Sequence, residues 1–128
     1  MRRRDGFTLV ELLITVLIIS TLSSIVVPRL LSFRDRGFRA TMQSDLRNLA
    51  AFEESFFNDS GGYSGAMNDV MGLGFQQSSR VTITIVEASV SGWSATAMHS
   101  ATETKCALYV GSASPIGAAT EQGMIACD

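Results

Sequence analysis

The sequence predicts an α+β chain in which a long N-terminal α-helix, membrane-spanning in its first half, packs on a small antiparallel sheet of about three strands. Three observations support this prediction. An apolar run covers residues 7–27, an amphipathic helical pattern extends to residue 58, and three alternating segments follow residue 80. A chain of 128 residues is long enough for one domain.

The apolar run from Phe7 to Val27 contains 21 residues, and Glu11 is its only charged residue. As a helix, it would span about 31 Å, close to the hydrocarbon thickness of a bilayer. An ionised carboxylate at the centre of such a helix costs roughly 2.5–3.5 kcal/mol on insertion scales, and less near its end. Glu11 is therefore a candidate functional residue that needs a partner. Phe7 lies four positions earlier, so the two residues are expected to share one helix face.

A short basic leader, residues 1–6, precedes the apolar run. Its three arginines predict a cytoplasmic N-terminus and a C-terminus that crosses the membrane. A secretory signal peptide is disfavoured, because the run is too long and no small-residue cleavage site with a polar break follows it. An uncleaved, unassembled single-span membrane protein is an alternative.

The helical pattern changes character at Pro28, which removes a backbone donor and predicts a kink or local loosening. Apolar residues then recur every three or four positions and form one helix face. They are Phe38, Met42, Leu46, Leu49, Phe52 and Phe56. Charged residues such as Asp45 and Arg47 lie off this face. They are interpreted, together with Glu53, as solvated or inter-subunit charge. The breaker-rich residues 58–62 predict the end of the helix.

Three segments that follow have the alternation and β-branched content of strands, at residues 81–86, 92–98 and 105–110. Their spacing of about 11–12 residues predicts an antiparallel meander. The expected inward set is Val81, Ile83, Ile85, Trp93, Ala95, Ala97, Cys106, Leu108 and Val110. A short helical turn is expected at residues 68–73, and His99 is interpreted as a surface histidine.

Two cysteines, Cys106 and Cys127, lie on the predicted non-cytoplasmic side, where disulfides persist. A globular head of about 65–70 residues has a thin core and gains from a covalent link. The spacing of these cysteines and of the distant His99 does not suit a metal. We therefore predict a Cys106–Cys127 disulfide, with no metal and no cofactor.

The charge of the chain is modest: −2 overall, and −4 once residues 1–6 are removed. This balance provides no strong basic face for nucleic acid. The sequence contains no phosphate-binding loop, nucleophile elbow or metal-ligand cluster. We therefore predict that the chain is not an enzyme.

The stretch Gly6-Phe7-Thr8-Leu9-Val10-Glu11-Leu12-Leu13 resembles the processing and assembly motif of the type IV pilin superfamily. That superfamily comprises type IV pilins and the pseudopilins of type II secretion. The resemblance includes the basic leader ending in glycine, the glutamate five positions later and the long apolar helix. Pro28 stands where many members have a helix-loosening proline. The likeness extends to about residue 64.

The resemblance implies that a prepilin peptidase would cut between Gly6 and Phe7 and methylate the new amine of Phe7. The subunit would wait as a single-pass protein in the bacterial inner membrane and then join a cell-surface pilus through Glu11. Its implied partners are the peptidase, the assembly platform, membrane lipid and other pilins, with no direct nucleic-acid partner. The expected divisions are residues 1–6 as leader, 7–27 as membrane span and filament core, 28–58 as the second half of the helix and 59–128 as the β head.

A pseudopilin of a type II secretion system is the principal alternative. Many major pseudopilins bind calcium in a C-terminal loop and lack a disulfide there. The tail of this chain has few acids, namely Glu103, Glu121 and Asp128, and it carries the cysteine pair. These features favour a pilin. Adhesion, twitching motility and DNA uptake are left open as roles of the filament, as is the choice between major and minor pilin.

Overall fold

The computed structural model describes residues 6–128. Most of the predicted leader, residues 1–5, lies outside the described residues. The chain divides into two compact units, one ending at Arg34 and one running from Asp35 to Asp128. They are called the N-terminal unit and the C-terminal unit below, and each is described by itself.

The elements confirm the α+β class. Helix α1 covers Leu9–Ser60 and helix α2 covers Met67–Gly72; the strands are β1 (Val81–Ala88), β2 (Gly92–His99), β3 (Lys105–Gly111) and β4 (Ala126–Cys127). The strands form one antiparallel sheet in the order β1-β2-β3-β4. The sheet thus has four strands rather than about three. Strand β4 is only two residues long, so it has no alternation by which the sequence could reveal it.

The N-terminal unit is an apolar helix with an uncovered surface. Every large apolar side chain from Leu9 to Phe33 is 48–77 % exposed. The 18 most apolar consecutive residues of helix α1 have a mean hydropathy of 2.4, and the helix is long enough to cross a membrane. Four hydroxyl groups between residues 15 and 24 each donate to a carbonyl three or four residues earlier at 2.7–2.9 Å and are thereby satisfied within the helix. The donors are Thr15, Ser20, Thr21 and Ser24.

Helix α1 continues through Pro28 in this structure. Because proline has no N–H, the carbonyl of Ser24 lacks its usual helical donor. The hydroxyl of Ser24 donates to the carbonyl of Thr21 and does not replace this missing donor. The loosening predicted at Pro28 concerns the helix within a fibre and stays a prediction.

The core of the C-terminal unit lies between the second half of α1 and one face of the sheet. Met42, Leu46 and Leu49 are fully buried, whereas the flanking phenylalanines of the predicted stripe are half-buried. The predicted inward residues of the sheet also belong to this core. Ile85 is only partly buried, and it borders a register irregularity between residues 85 and 87.

The C-terminal tail covers part of the outer face of the sheet. Ser94 and Ala107 alternate with inward residues, and yet they are 1 % and 2 % exposed. The Gly117 backbone lies against Ala107, and Ala119 is 1 % exposed. The residues after β3 therefore bury the outer face locally before β4 returns to the sheet edge.

Candidate processing and assembly site

A reciprocal set of hydrogen bonds starts helix α1. Thr8 precedes the first helical residue, and its hydroxyl accepts a bond from the Glu11 N–H at 3.2 Å. The Oε2 atom of Glu11 accepts from the Thr8 N–H at 2.9 Å and lies 3.0 Å from the Thr8 hydroxyl. This is a capping box, in which residues three positions apart satisfy each other's backbone donors.

The capping box shows that one expectation about the start of helix α1 was wrong. Spacing alone suggested that Phe7 and Glu11 share a helix face, but Phe7 lies before the helix and is 84 % exposed. The Thr-x-x-Glu spacing was the signal that could have revealed this. Within the single chain, Glu11 already has a partner in the backbone of Thr8.

The predicted disulfide joins Cys106 to Cys127. These residues are also register partners in the short β3–β4 ladder. Beside them, the Lys105 N–H donates to the Asp128 carboxylate at 2.7 Å. The tail is thus held to β3 by a covalent bond and by backbone pairing.

Two carboxylates that were interpreted from the sequence as solvated or inter-subunit charge are in fact buried. Asp45 is 2 % exposed and Glu53 is fully buried. Asp45 accepts bonds from the N–H and the hydroxyl of Ser78, at 2.8 and 2.7 Å. The expectation of solvated charge was wrong here, because an apolar stripe does not reveal where a loop supplies donors to a neighbouring polar residue.

Glu53 is less well satisfied than Asp45. Its Oε2 atom accepts from the Ser64 N–H at 2.8 Å, while Oε1 has no hydrogen-bond partner among the described residues. Burial raises the pKa of the Glu53 carboxyl, and the nearby carboxylates of Asp69 and Glu54 raise it further, against the opposing effect of the Ser64 bond. Glu53 thus connects α1 to the loop before α2 through a group that resists ionisation.

His99 is a further correction, since it is 6 % exposed rather than on the surface. Its ring stacks on that of Phe38, with centroids 4.2 Å apart. Its Nδ1 atom accepts the Ala101 N–H at 3.1 Å. A single histidine at a strand end gave no sequence signal of this contact with helix α1.

The predicted site residues fall in two places. Gly6, Phe7 and Glu11 are together at the start of α1, and Pro28 lies farther along the same helix. The cysteine pair lies in the C-terminal unit. Across residues 6–128, no group of three or more His, Cys, Asp or Glu side chains could hold a metal ion.

An apolar surface exposed around a whole helix needs a covering other than water. Here that helix leads into a small α+β unit closed by a disulfide. This combination of an apolar N-terminal helix and a small α+β head is what the resemblance to the type IV pilin superfamily implies.

Comparisons with known proteins agree with this class. The family model described as the prokaryotic N-terminal methylation motif matches residues 1–27. The chain is 34 % identical over 101 residues to the type IV wide pilus major component PilA4 of Thermus thermophilus, covering 78 % of this chain and 77 % of that protein. It is 35 % identical over 68 residues to the type IV major pilin protein PilA of Myxococcus xanthus, covering 53 % of this chain and 31 % of that one. The chain belongs to the type IV pilin family.

Proposed function

We propose that this pilin is cut between Gly6 and Phe7 and then polymerises with other copies of itself into a type IV pilus-like filament. The observation that carries this proposal is the uncovered apolar surface of α1. Full burial of one large aliphatic side chain is worth about 1.5–3 kcal/mol. Lipid tails would cover this surface before assembly, and the helices of neighbouring subunits would cover it afterwards.

The proposed route determines the partners. Residues 1–6 would be a cytoplasmic leader, residues 7–27 the inner-membrane span and later the filament core, residues 28–58 the second half of the helix, and residues 59–128 the head outside the cytoplasm. The prepilin peptidase and the assembly platform would act on the chain in turn. The chain itself is a substrate of enzymes and carries no catalytic role. Both relatives named above are pilus components, which favours a pilin over a pseudopilin.

Substitutions of Gly6 test the cleavage step, because glycine has no side chain to obstruct a protease at the membrane edge. Mature protein is expected to begin at a methylated Phe7, and Gly6→Val to leave a precursor about six residues longer, because a branched Cβ blocks the cut. Gly6→Ala, with the smallest side chain, is the graded control. Intact mass and N-terminal sequencing provide the readout. Met1 retained in assembled protein would contradict the proposal.

Glu11 would set the register of assembly. Cleavage creates a chargeable amine at Phe7, next to the Thr8 N–H that Glu11 binds in the single chain. In an apolar filament core, Glu11 would pair with the Phe7 amine of its own chain or of a neighbour. A charge left alone in such an environment costs about 3–5 kcal/mol relative to the pair. Where the amine comes from a neighbour, only an axial offset that supplies this amine would be stable.

Two variants separate charge from shape. Glu11→Gln retains the shape of the side chain and an acceptor oxygen for the cap of Thr8, but it loses the charge, whereas Glu11→Ala loses both. Both are expected to be cleaved and inserted normally, yet to form few or misregistered fibres. Electron microscopy and the yield of sheared fibres measure this, with exposed Glu54→Gln as the matched control. Normal fibres in normal amounts from Glu11→Gln would refute the charge-pair mechanism while leaving the pilin assignment intact.

A further inference from the structure

An open groove of about 470 Å³ lies on the side of the C-terminal unit. Gln43, Arg47 and Ala50 of α1 line one side, and Leu108 of β3 contributes to its lining. The other side is formed by the tail just before β4, where Met124 is 58 % exposed. The groove therefore combines apolar side chains with a cation at its rim.

The tail side of this groove is built by specific contacts. The Gly123 N–H donates to the Tyr109 carbonyl at 2.8 Å, and β4 follows directly, linked to β3 by the disulfide. Across the groove, the Gln43 amide lies 3.6 Å from the Cys127 sulfur. Held at several points, the groove has a defined shape before any partner arrives.

Arg47 gives the groove its charge. It is exposed and makes no hydrogen bond or ion pair with any residue between 6 and 128. The C-terminal unit otherwise has an acidic balance, with ten acidic against five basic side chains. Three exposed carboxylates, Asp59, Glu103 and Glu121, also make no side-chain hydrogen bond or ion pair within the described part of the chain. The same surface thus carries an unpaired cation in a groove and unpaired anions elsewhere.

We propose that this groove docks a surface segment of a second copy of the chain that bears an exposed carboxylate, with Arg47 facing that carboxylate of the neighbouring head. The proposal rests on the proposed function, because a filament brings many copies together at high local concentration. Charge complementarity selects the occupant: the chain's own exposed surface supplies the carboxylates that Arg47 lacks.

Such a contact joins two different surfaces of the same molecule. A heterologous contact of this kind does not close on itself unless its rotation forms a ring, and it otherwise continues as an open helical array. The groove would therefore add contacts between heads to those between the apolar helices. It would also give the disulfide a role in assembly, since the bridge positions the tail side of the groove.

Charge reversal tests the contact. Arg47→Glu is expected to reduce the yield of intact fibres by at least about tenfold, since like charges across an interface cost several kcal/mol. Arg80→Glu makes the same change of net charge at an exposed residue outside the groove and is expected to have little effect. Cleavage at Phe7 and membrane insertion should be unchanged in both. Reversing one of Asp59, Glu103 or Glu121 to arginine should restore fibres to the Arg47→Glu chain.

A photo-crosslinking amino acid at Met124 identifies the occupant directly in sheared fibres. We expect a product of twice the subunit mass whose linked peptide contains Asp59, Glu103 or Glu121. Normal fibres from Arg47→Glu, a loss that no reversal restores, or crosslinks to a different protein or to lipid would each overturn the proposal. Wild-type chains that form no fibres would instead contradict the filament function itself.

Discussion

At the scale of single residues, two buried carboxyl groups on helix α1 differ in the number of hydrogen bonds that they accept. Asp45 and Glu53 are both buried against the same core. Both oxygens of Asp45 accept bonds from Ser78, whereas only one oxygen of Glu53 accepts a bond. Burial without full compensation favours the neutral form of a carboxyl group. Burial without full compensation therefore raises the pKa of Glu53.

The raised pKa of Glu53 has a definite consequence for stability. Between the ordinary glutamate pKa and the raised folded value, the folded chain binds more protons than the unfolded one. The free energy of unfolding therefore falls as pH rises through this window. Glu53→Gln cannot ionise but retains an acceptor for Ser64, so it is expected to remove this fall and to be the more stable protein at neutral pH. Thermal unfolding of detergent-solubilised protein from about pH 4 to about pH 8 measures the difference.

The matched control is Glu54→Gln, one position along on the exposed side of α1. It removes the same charge and also weakens the 2.9 Å bond from the Tyr63 hydroxyl. It is expected to preserve most of the pH dependence of the wild-type chain. Equal pH profiles for Glu53→Gln and wild type would contradict the assignment.

At the scale of elements, strands β2 and β3 leave no room for side chains where two glycines face one another. Gly92 and Gly111 are register partners. Gly111 has φ of 68°, and a Cβ atom there would overlap the Ser91 carbonyl oxygen. Both the left-handed conformation and the close approach require glycine at this position.

Gly111→Ala is expected to destabilise the fold by about 2–5 kcal/mol, the combined cost of a left-handed alanine and of overpacking. Gly123 separates the two causes, because its φ is 74° while a Cβ there would meet no atom within 4 Å. Gly123→Ala should cost only about 1–2 kcal/mol. Denaturant unfolding measures the free energy of unfolding of both variants. Equal decreases would show that steric overlap of the Cβ atom does not contribute at Gly111.

The disulfide acts at the same scale, since it connects β3 to β4 across a separation of 21 residues. The chain-entropy model assigns roughly 3 kcal/mol to such a closure. The double variant Cys106→Ser, Cys127→Ser should lose about this much stability, and reduction of the wild-type protein should have the same effect. Non-reducing mass spectrometry of surface protein checks that the bridge forms. Two alkylatable thiols in native, unreduced protein would refute it.

At the scale of the whole molecule, Pro28 leaves a weak point in a helix that otherwise keeps its hydrogen bonds. We expect residues 23–31 to loosen when α1 leaves lipid and packs in a fibre, because the carbonyl of Ser24 lacks a helical donor. Proline in a helix interior costs about 3 kcal/mol relative to alanine. Pro28→Ala should therefore give stiffer fibres with slower amide exchange in residues 23–31.

Val27→Ala, which changes an adjacent side chain but leaves the backbone donors intact, is the control for Pro28. Hydrogen exchange and fibre stretching under force provide two independent readouts. A wild-type fibre with a continuous straight helix through Pro28, and with exchange equal to that of Pro28→Ala, would contradict this expectation.

Much of the architecture follows from periodicity along the chain. The apolar run and the Phe38–Phe56 stripe predicted a single long helix, and the alternation in residues 81–110 predicted the meander and its inward face. These signals are local, because a helix or a half-buried strand repeats its buried side at a fixed interval. The motif from Gly6 to Glu11 was predicted from the order of its residue types. The disulfide was predicted from two cysteines on the expected non-cytoplasmic side of the membrane.

Only the tertiary structure decided the features that depend on contacts distant in sequence. Asp45 is buried because Ser78, 33 residues later, supplies two donors to it. His99 is buried because Phe38 stacks on its ring, and β4 exists because a two-residue segment meets β3. The groove beside Arg47 likewise needs α1, β3 and the tail in place together. None of these features has a repeating pattern in the sequence, because each arises where two distant segments meet once. The energy of a polar or aromatic contact depends on the residue it meets in space rather than on its neighbours along the chain.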